Sequence, residues 1–260
     1  MSILSNELEI QQCTNVNCVR HLHTESEVVL VTNGTLRILL CDRILELHAG
    51  EGLYFMPFEV HGYATDAHSV CTILIFPAGL VPEFLSATVN KRPTSPLFRP
   101  SSVTSALCAG LDPNASYDAL HACAALYPLC CEIVDQCHFD GNAYGYEESI
   151  VRVERYIFEN IATPLTLKRV AAAVGLNETY LSRLFNKAKG ISFREYINML
   201  RCSFATRLLT SLKAASLSIS EIAYECGFES IRTFNRVFLQ RYGITPSQMR
   251  NQAPISFPNS

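Results

Sequence analysis

The chain contains no tryptophan, and only 17% of its 260 residues are charged. Without an indole, any sugar ligand has to stack on Tyr or Phe. Low charge beside 48% hydrophobic residues excludes a disordered chain and predicts limited solubility. No uncharged apolar run reaches the about 18 residues that a membrane-spanning helix needs. The amino terminus, Met1-Ser-Ile-Leu-Ser-Asn-Glu-Leu-Glu9, is acidic and lacks the basic segment of a secretory signal. Cysteine is plentiful, with 11 residues, yet no C-x-x-C pair or zinc-type spacing occurs. Scattered thiols in apolar context, such as Cys41, Cys71, Cys108 and Cys123, read as small buried hydrophobes rather than a disulfide framework. The group Cys130, Cys131 and Cys137 is a candidate thiol sensor, with core packing the simpler reading.

The length accommodates two ordinary domains, and the charge is divided between them. Residues 146–260 carry 15 Lys and Arg against 9 Asp and Glu, a balance of +6, which leaves −9 for residues 1–145 within the net −3. A basic half suits a polyanion; an acidic half is repelled by one and has another task.

Residues 1–80 are strand-like. Val28–Val31, Leu36–Leu40, Ile44–Leu47, Leu53–Met56 and Cys71–Phe76 are short runs rich in β-branched and aromatic residues. Asn33-Gly34 predicts a hairpin, and Ala49–Gly52 and Pro57 predict turns. Even spacing of short strands predicts an antiparallel barrel or jelly roll. A Pro-rich stretch from Leu80 to Pro100 leads into helices over 102–111 and 115–138, the second kinked or split at Pro128. The second is apolar on more than one face, which predicts packing on the barrel and against a second copy of the chain. Residues 139–146, rich in Gly and Tyr, read as a linker.

From there the chain is helical and repeats itself. Ile150, Val153, Ile157 and Phe158 form a core stripe on a helix over 148–160, and Leu167, Val170, Ala171 and Val174 a second. After the turn at Gly175, Asn177 is placed to cap a helix with Leu181, Leu184 and Phe185 inward and Thr179, Ser182, Arg183, Asn186 and Lys187 outward. A long helix over 193–212 carries Arg194, Arg201 and Arg207 on its basic side. The pattern then recurs. Ile219, Ile222 and Ala223 precede a turn at Gly227, 52 residues after Gly175. Ser230 caps a helix with Phe234, Val237 and Phe238 inward and Arg232, Thr233, Asn235 and Arg236 outward. Two matched helix-turn-helix units with outward Arg suit the major groove of duplex DNA, where Arg paired to guanine is the commonest specific contact.

The residues Gly227-Phe-Glu-Ser, Phe234-Asn-Arg-Val-Phe238, Tyr242-Gly-Ile-Thr-Pro246 and Arg250 resemble the signature of the AraC/XylS family of bacterial transcription regulators. Tyr180-Leu-Ser-Arg-Leu-Phe185, Gly190-Ile-Ser-Phe193, Tyr196 and Arg201 are similar to its first half. The resemblance covers about 147–252 and implies two recognition helices in successive major-groove segments of duplex DNA. It implies base contacts at Thr179, Ser182, Arg183, Arg232, Asn235 and Arg236, and phosphate contacts near Lys187, Ser230 and Thr233. It also implies a cytoplasmic, nucleoid-associated activator with RNA polymerase as a partner.

In the acidic half, His21-Leu-His23-Thr-Glu-Ser-Glu27, followed by six residues and Gly34, is similar to the first cupin motif. Gly52, Pro57 and His61 resemble the second, with Pro57 and His61 one residue too close. The leading Gly of the first motif is replaced by Asn15. Such residues line an effector pocket, make structural hydrogen bonds, or hold a divalent ion, because imidazole and carboxylate suit Fe, Mn or Zn. The reading adopted is effector binding by His21, His23, Glu27, Tyr54 and His61, with no metal, no cofactor and no catalytic residue. Tyr63, Phe55 and Phe58 are further lining candidates, though strand alternation turns only some of them inward.

The expected architecture is therefore a two-domain α+β chain. A cupin-like antiparallel β-barrel with trailing helices (1–138) carries a small-molecule effector and the homodimer contact at 115–138. A linker (139–146) joins it to an all-α tandem helix-turn-helix domain (147–252), followed by a tail (253–260). The alternatives are a metal-dependent cupin enzyme fused to a DNA module, or a regulator that senses a protein partner.

Overall fold

The computed structural model describes residues 7–41, 43–89, 91–140, 148–211 and 214–251. They fall into two compact units that divide between residues 140 and 148. Most of the expected linker, and the tail, lie outside the described residues.

The first unit is built on antiparallel strands: β1 (Glu9–Thr14), β2 (Cys18–His21), β3 (Ser26–Leu39), β4 (Ile44–His48), β5 (Gly52–Phe55), β6 (His61–Ala64) and β7 (Ser69–Phe76). β1, β2 and β6 escape the sequence reading because they are short or mix polar with apolar residues. The 14-residue β3 organises the sheet. Its first half lies between β5 and β7, and its second half pairs with β4 and β6.

Asn33-Gly34 is not a hairpin turn, because β3 runs straight through it. Gly34 has φ +73°, and the register against β7 shifts between Val31 and Asn33. A Cβ at Gly34 would lie 2.1 Å from the His68 carbonyl oxygen. The pair is a bulge, since a left-handed glycine serves a bulge as readily as a turn.

Period-two alternation sends Val29, Val31, Leu53, Phe55 and Ile73 into one core, which Leu36, Ile38, Leu47 and Tyr63 complete from the other half of the sheet. Val28, Leu30, Tyr54, Leu74 and Phe76 face the opposite way, into a second core roofed by helices. The roof comprises α1 (Pro82–Thr88), α2 (Ser102–Ala109) and α3 (Ala119–Cys137). The two-residue strands β8 (Arg92–Pro93) and β9 (Leu97–Phe98) lie between α1 and α2. Phe139 and Asp140, read as the start of the linker, instead form β10 and pair with β8.

α3 is neither split nor ended by Pro128. Pro128 and Ala124, whose carbonyl loses its helical donor, are both exposed, where solvent is available to that oxygen. Leu126, Leu129 and Ile133 bury the inner face of α3. Cys130 and Cys137 are buried and Cys131 is exposed. Burial pushes both buried thiols up, Cys137 to about 12, which holds them protonated and removes them as sensing thiolates.

The second unit contains α4 (Glu148–Glu159), α5 (Leu167–Val174), α6 (Glu178–Lys189), α7 (Phe193–Thr210), α8 (Ile219–Glu225), α9 (Ile231–Tyr242) and α10 (Pro246–Asn251). The caps explain where these helices start. Thr166, Asn177, Ser192, Ser218 and Ser230 each accept a hydrogen bond from an amide of the first turn, and Ser218 with Glu221 forms a capping box. Left-handed Gly175, Gly190 and Gly243 end α5, α6 and α9.

α7 is the central helix, with Tyr196, Ile197, Leu200, Cys202, Phe204 and Ala205 buried. Arg201, expected on a basic outer side, is buried too. Its Nε donates to Ile161 O at 3.2 Å and a terminal nitrogen to Thr163 O at 2.8 Å. The guanidinium also lies 5.9 Å from the Phe228 ring centroid.

Candidate functional site

In the second helix of each helix-turn-helix unit, burial alternates with exposure along the helix. On α6, Leu181, Leu184 and Phe185 are buried, Thr179, Arg183 and Lys187 are exposed, and Ser182 is half-buried. On α9, Phe234, Val237 and Phe238 are buried, Arg232, Asn235 and Arg236 are exposed, and Ser230 and Thr233 are half-buried. The Asn177 carboxamide oxygen accepts from Thr179 N at 2.9 Å and Tyr180 N at 3.3 Å, fixing the start of α6. At α9 the Ser230 hydroxyl accepts from Thr233 N at 3.2 Å and donates to Thr233 Oγ1 at 3.0 Å. Ser230 is thus foremost a cap. The outward Arg side chains stand on helices whose first turn is pinned and whose inner face is packed, as a base-reading surface requires.

In the first unit, β2 and β6 pair with His21 opposite His61, and Glu27 enters from β3. One ligand-type atom from each of His21, His23, Glu27 and His61 lies within 4.8 Å of the others. Each imidazole Nδ1 faces a backbone carbonyl: His21 with Val19 O at 3.1 Å, His23 with Glu25 O at 2.9 Å and His61 with Glu59 O at 2.9 Å. His23 Nε2 meets Glu27 Oε2 at 2.7 Å, and the Tyr63 hydroxyl donates to Glu27 Oε1. Phe55 stacks on His61 with ring centroids 4.1 Å apart.

Burial and the neighbouring His61 lower the His21 imidazole to about 3. Burial opposes charge on His23, but the Glu27 carboxylate outweighs it and raises that ring. Burial alone would raise Glu27; the facing His61 and His23 hold it well below the usual carboxylate range. Burial and Glu27 together push the Tyr63 hydroxyl well up. The cluster is a set of one buried and two half-buried imidazoles around one buried carboxylate.

Residues 7–129 match the AraC-like ligand binding domain, and residues 170–252 match a helix-turn-helix domain. The chain belongs to the AraC/XylS family. The HTH-type transcriptional regulator YijO of Escherichia coli K12 is 38% identical over 100 residues, covering 38% of this chain and 34% of YijO. The chain thus spans about a third of the length of YijO, as it does of the next two relatives. The HTH-type transcriptional activator RhaR of Cronobacter sakazakii is 27% identical over 251 residues, covering 89% of this chain and 86% of RhaR. ToxT of Vibrio cholerae, 12% identical, superposes with a TM-score of 0.65 over 94% of this chain and 98% of that one, a likeness of fold. Both YijO and RhaR are named as transcription regulators.

Four of the five effector candidates of this AraC/XylS chain gather in one cluster; Tyr54 does not join them. It lies in the helix-covered core, edge-on to Phe84 and Phe139, with its hydroxyl 3.3 Å from Ser26 Oγ. Tyr54 is one residue out of phase: Phe55, its neighbour, pairs with Glu27 across the sheet, and Tyr63 shares a strand face with His61. Counting by twos from His61 finds Tyr63, a signal that was present in the sequence. Among the described residues no helix is long and apolar enough to cross a membrane.

Proposed function

We propose that this chain is an effector-responsive transcription regulator that binds duplex DNA sequence-specifically. The observation that carries this reading is the pair of capped helices, α6 and α9, each with a buried inner face and Arg side chains outward. Base contacts are assigned to Thr179, Ser182, Arg183, Arg232, Asn235 and Arg236. Phosphate contacts are assigned to Lys187, Thr233 and the neighbourhood of Ser230. Residues 147–252 read DNA and residues 1–138 sense. No catalytic role is assigned. RhaR is called an activator, and activation through RNA polymerase at the bacterial nucleoid is the corresponding reading here.

Two substitutions test the contact assignment on a duplex selected from a random pool by the full chain. Arg236→Ala is expected to cost about 1–3 kcal/mol at the selected site and to relax preference at one position. Lys187→Ala should weaken all sequences alike and flatten the salt dependence by about one unit. Uniform loss in both variants rejects the assignment of Arg236 to a base.

The dimer contact is assigned to α3. Its inner face is buried, while Leu120, Ala124, Pro128 and Cys131 lie exposed along its outer face, with Leu120 at 76%. Sedimentation equilibrium should report a dimer that Leu120→Glu weakens. A monomer at tens of micromolar, with and without effector, removes the dimer from the proposal.

A further inference from the structure

We propose that Cys13 and Cys71 are a dithiol that closes into a reversible disulfide across β1 and β7 when it meets a small hydroperoxide such as hydrogen peroxide. This modification does not depend on whether the chain binds DNA.

The placement comes from the strand register. β1 runs antiparallel to β7 with Cys13 directly opposite Cys71. Among the described strands these are the only two cysteines that face each other in this way. Both side chains lie on the same face of the sheet. Cys71 belongs to the core that holds Val29, Phe55 and Ile73, and Cys13 packs against that core. Ile10, an odd number of residues back along β1, points into the opposite, helix-covered core together with its partner Leu74.

The distance suits the bond. Residues directly opposite on antiparallel strands have Cα atoms about 4.5–5.5 Å apart, inside the range of about 4.4–6.8 Å that disulfides span. Closure therefore needs side-chain rotation and no rearrangement of the strands. Both cysteines are free thiols in this structure, so the reduced and the linked chain can share one backbone.

The two thiols also differ as a reactive pair must. Cys13 is half-buried, within reach of a small solute, whereas Cys71 is 1% exposed. They hydrogen-bond to each other, and the proton stays with Cys71. That contact holds the Cys13 thiol below its ordinary range against the opposing effect of burial. The same contact, aided by burial, pushes Cys71 up. Cys13 is thus the attacking thiolate and Cys71 the resolving thiol. The buried Cys130 and Cys137 lack this asymmetry, since burial raises both.

The chemistry balances. The Cys13 thiolate attacks one peroxide oxygen, the O–O bond breaks, and the departing hydroxide takes up the proton that Cys13 lost. Cys13 is left as a sulfenic acid. The Cys71 sulfur then displaces its hydroxyl: an S–S bond replaces the S–O bond, and the Cys71 proton leaves with the hydroxyl as water. Two thiols and one peroxide give one disulfide and two waters. Thiol–disulfide exchange with an added dithiol restores the reduced pair.

The test uses the full chain, reduced, freed of reductant, treated with hydrogen peroxide and quenched with a thiol-alkylating reagent. The expected result is loss of two of the 11 thiols and a proteolytic product that joins the Cys13 and Cys71 peptides and is separated again by dithiothreitol. The link should form before the exposed Cys131 is oxidised. It should also move the urea midpoint upward, because Cys13 and Cys71 are 58 residues apart and their bond constrains the unfolded chain. Cys71→Val should stop the reaction at a Cys13 sulfenic acid that dimedone traps. Cys13→Ser should abolish the link and leave Cys71 reduced, while Cys131→Ser changes nothing. Should Cys71→Val fail to fold, Cys13→Ser, at the half-buried position, carries the test. The proposal is overturned if both thiols remain alkylatable after Cys131 has reacted, or if the link forms only in urea. A link to other cysteines in place of this one, or a urea midpoint that falls on oxidation, overturns it as well.

Discussion

Gly227→Ala should destabilise the DNA-reading unit by about 2–5 kcal/mol, combining about 1–2 for a left-handed backbone carrying a Cβ with about 1–3 for forced overpacking. Gly227 has φ +86°, and a Cβ there would lie 2.2 Å from Ile161 O, 2.9 Å from Ala162 Cα and 3.0 Å from Arg201 Nε. The two nearest of those three atoms are backbone, so they cannot step aside as a flexible side chain could. The Arg201 guanidinium bonds the same stretch of chain, at Ile161 and Thr163, and lies over Phe228. The turn of the second helix-turn-helix unit is thereby clamped onto the connection between α4 and α5. Gly175, the equivalent turn of the first unit, has φ +71° but nothing within 4 Å of its would-be Cβ. Gly175→Ala should therefore cost only the backbone share, about 1–2 kcal/mol. Urea denaturation of the full chain, followed by far-ultraviolet circular dichroism, compares the two. Equal losses would mean that the close approach at Gly227 relaxes freely and does not hold the two readers together.

That contrast shows what is legible in a single sequence. Both glycines are visible as turns, and so are the caps Asn177 and Ser230, because a turn or a cap is decided within a few neighbouring residues. What approaches a glycine from 66 residues away is not visible, and neither is the burial of Arg201. The helical period places Arg201 on an outer face, yet α7 is surrounded, so tertiary packing overrides the pattern. The bulge at Asn33-Gly34 fails in the same way. Its local chemistry permits a turn, and only the pairing of β7 with β3 from Ser26 through Gly34 decides against one. At the histidine cluster the spacing of His21, His23, Glu27 and His61 brings the right four residues together. It cannot reveal that each ring is anchored through Nδ1, because the three carbonyls belong to backbone that any residue supplies. The sequence cannot tell Tyr54 from Phe55 as the residue facing the cluster, because their strand is apolar on both faces and hydrophobicity alone gives no phase.

Glu154→Leu should cost about 3–5 kcal/mol, the penalty of leaving a buried charge without its counter-charge. Glu154 on α4 pairs with Lys189 in the last turn of α6, their side chains 11% and 3% exposed. The Lys189 ammonium also lies 5.5 Å from the centroid of the Tyr196 ring, too little to replace a carboxylate. The double variant Glu154→Leu with Lys189→Met should regain most of the loss, because replacing both members of a buried pair by apolar groups of similar size is often neutral or better. Thr179, Ser182 and Arg183, to which base contacts are assigned in the proposal, lie in the first half of α6, whereas Lys189 ends it. The double variant should therefore keep its preference for the selected duplex while the single variant loses affinity along with stability. Denaturation midpoints and DNA titrations of the three proteins decide this. A double variant as unstable as Glu154→Leu would show that the shape of the pair, and not its charge, sets the position of α6. In that case the polar link between α4 and α6 would be a packing element that happens to be ionic.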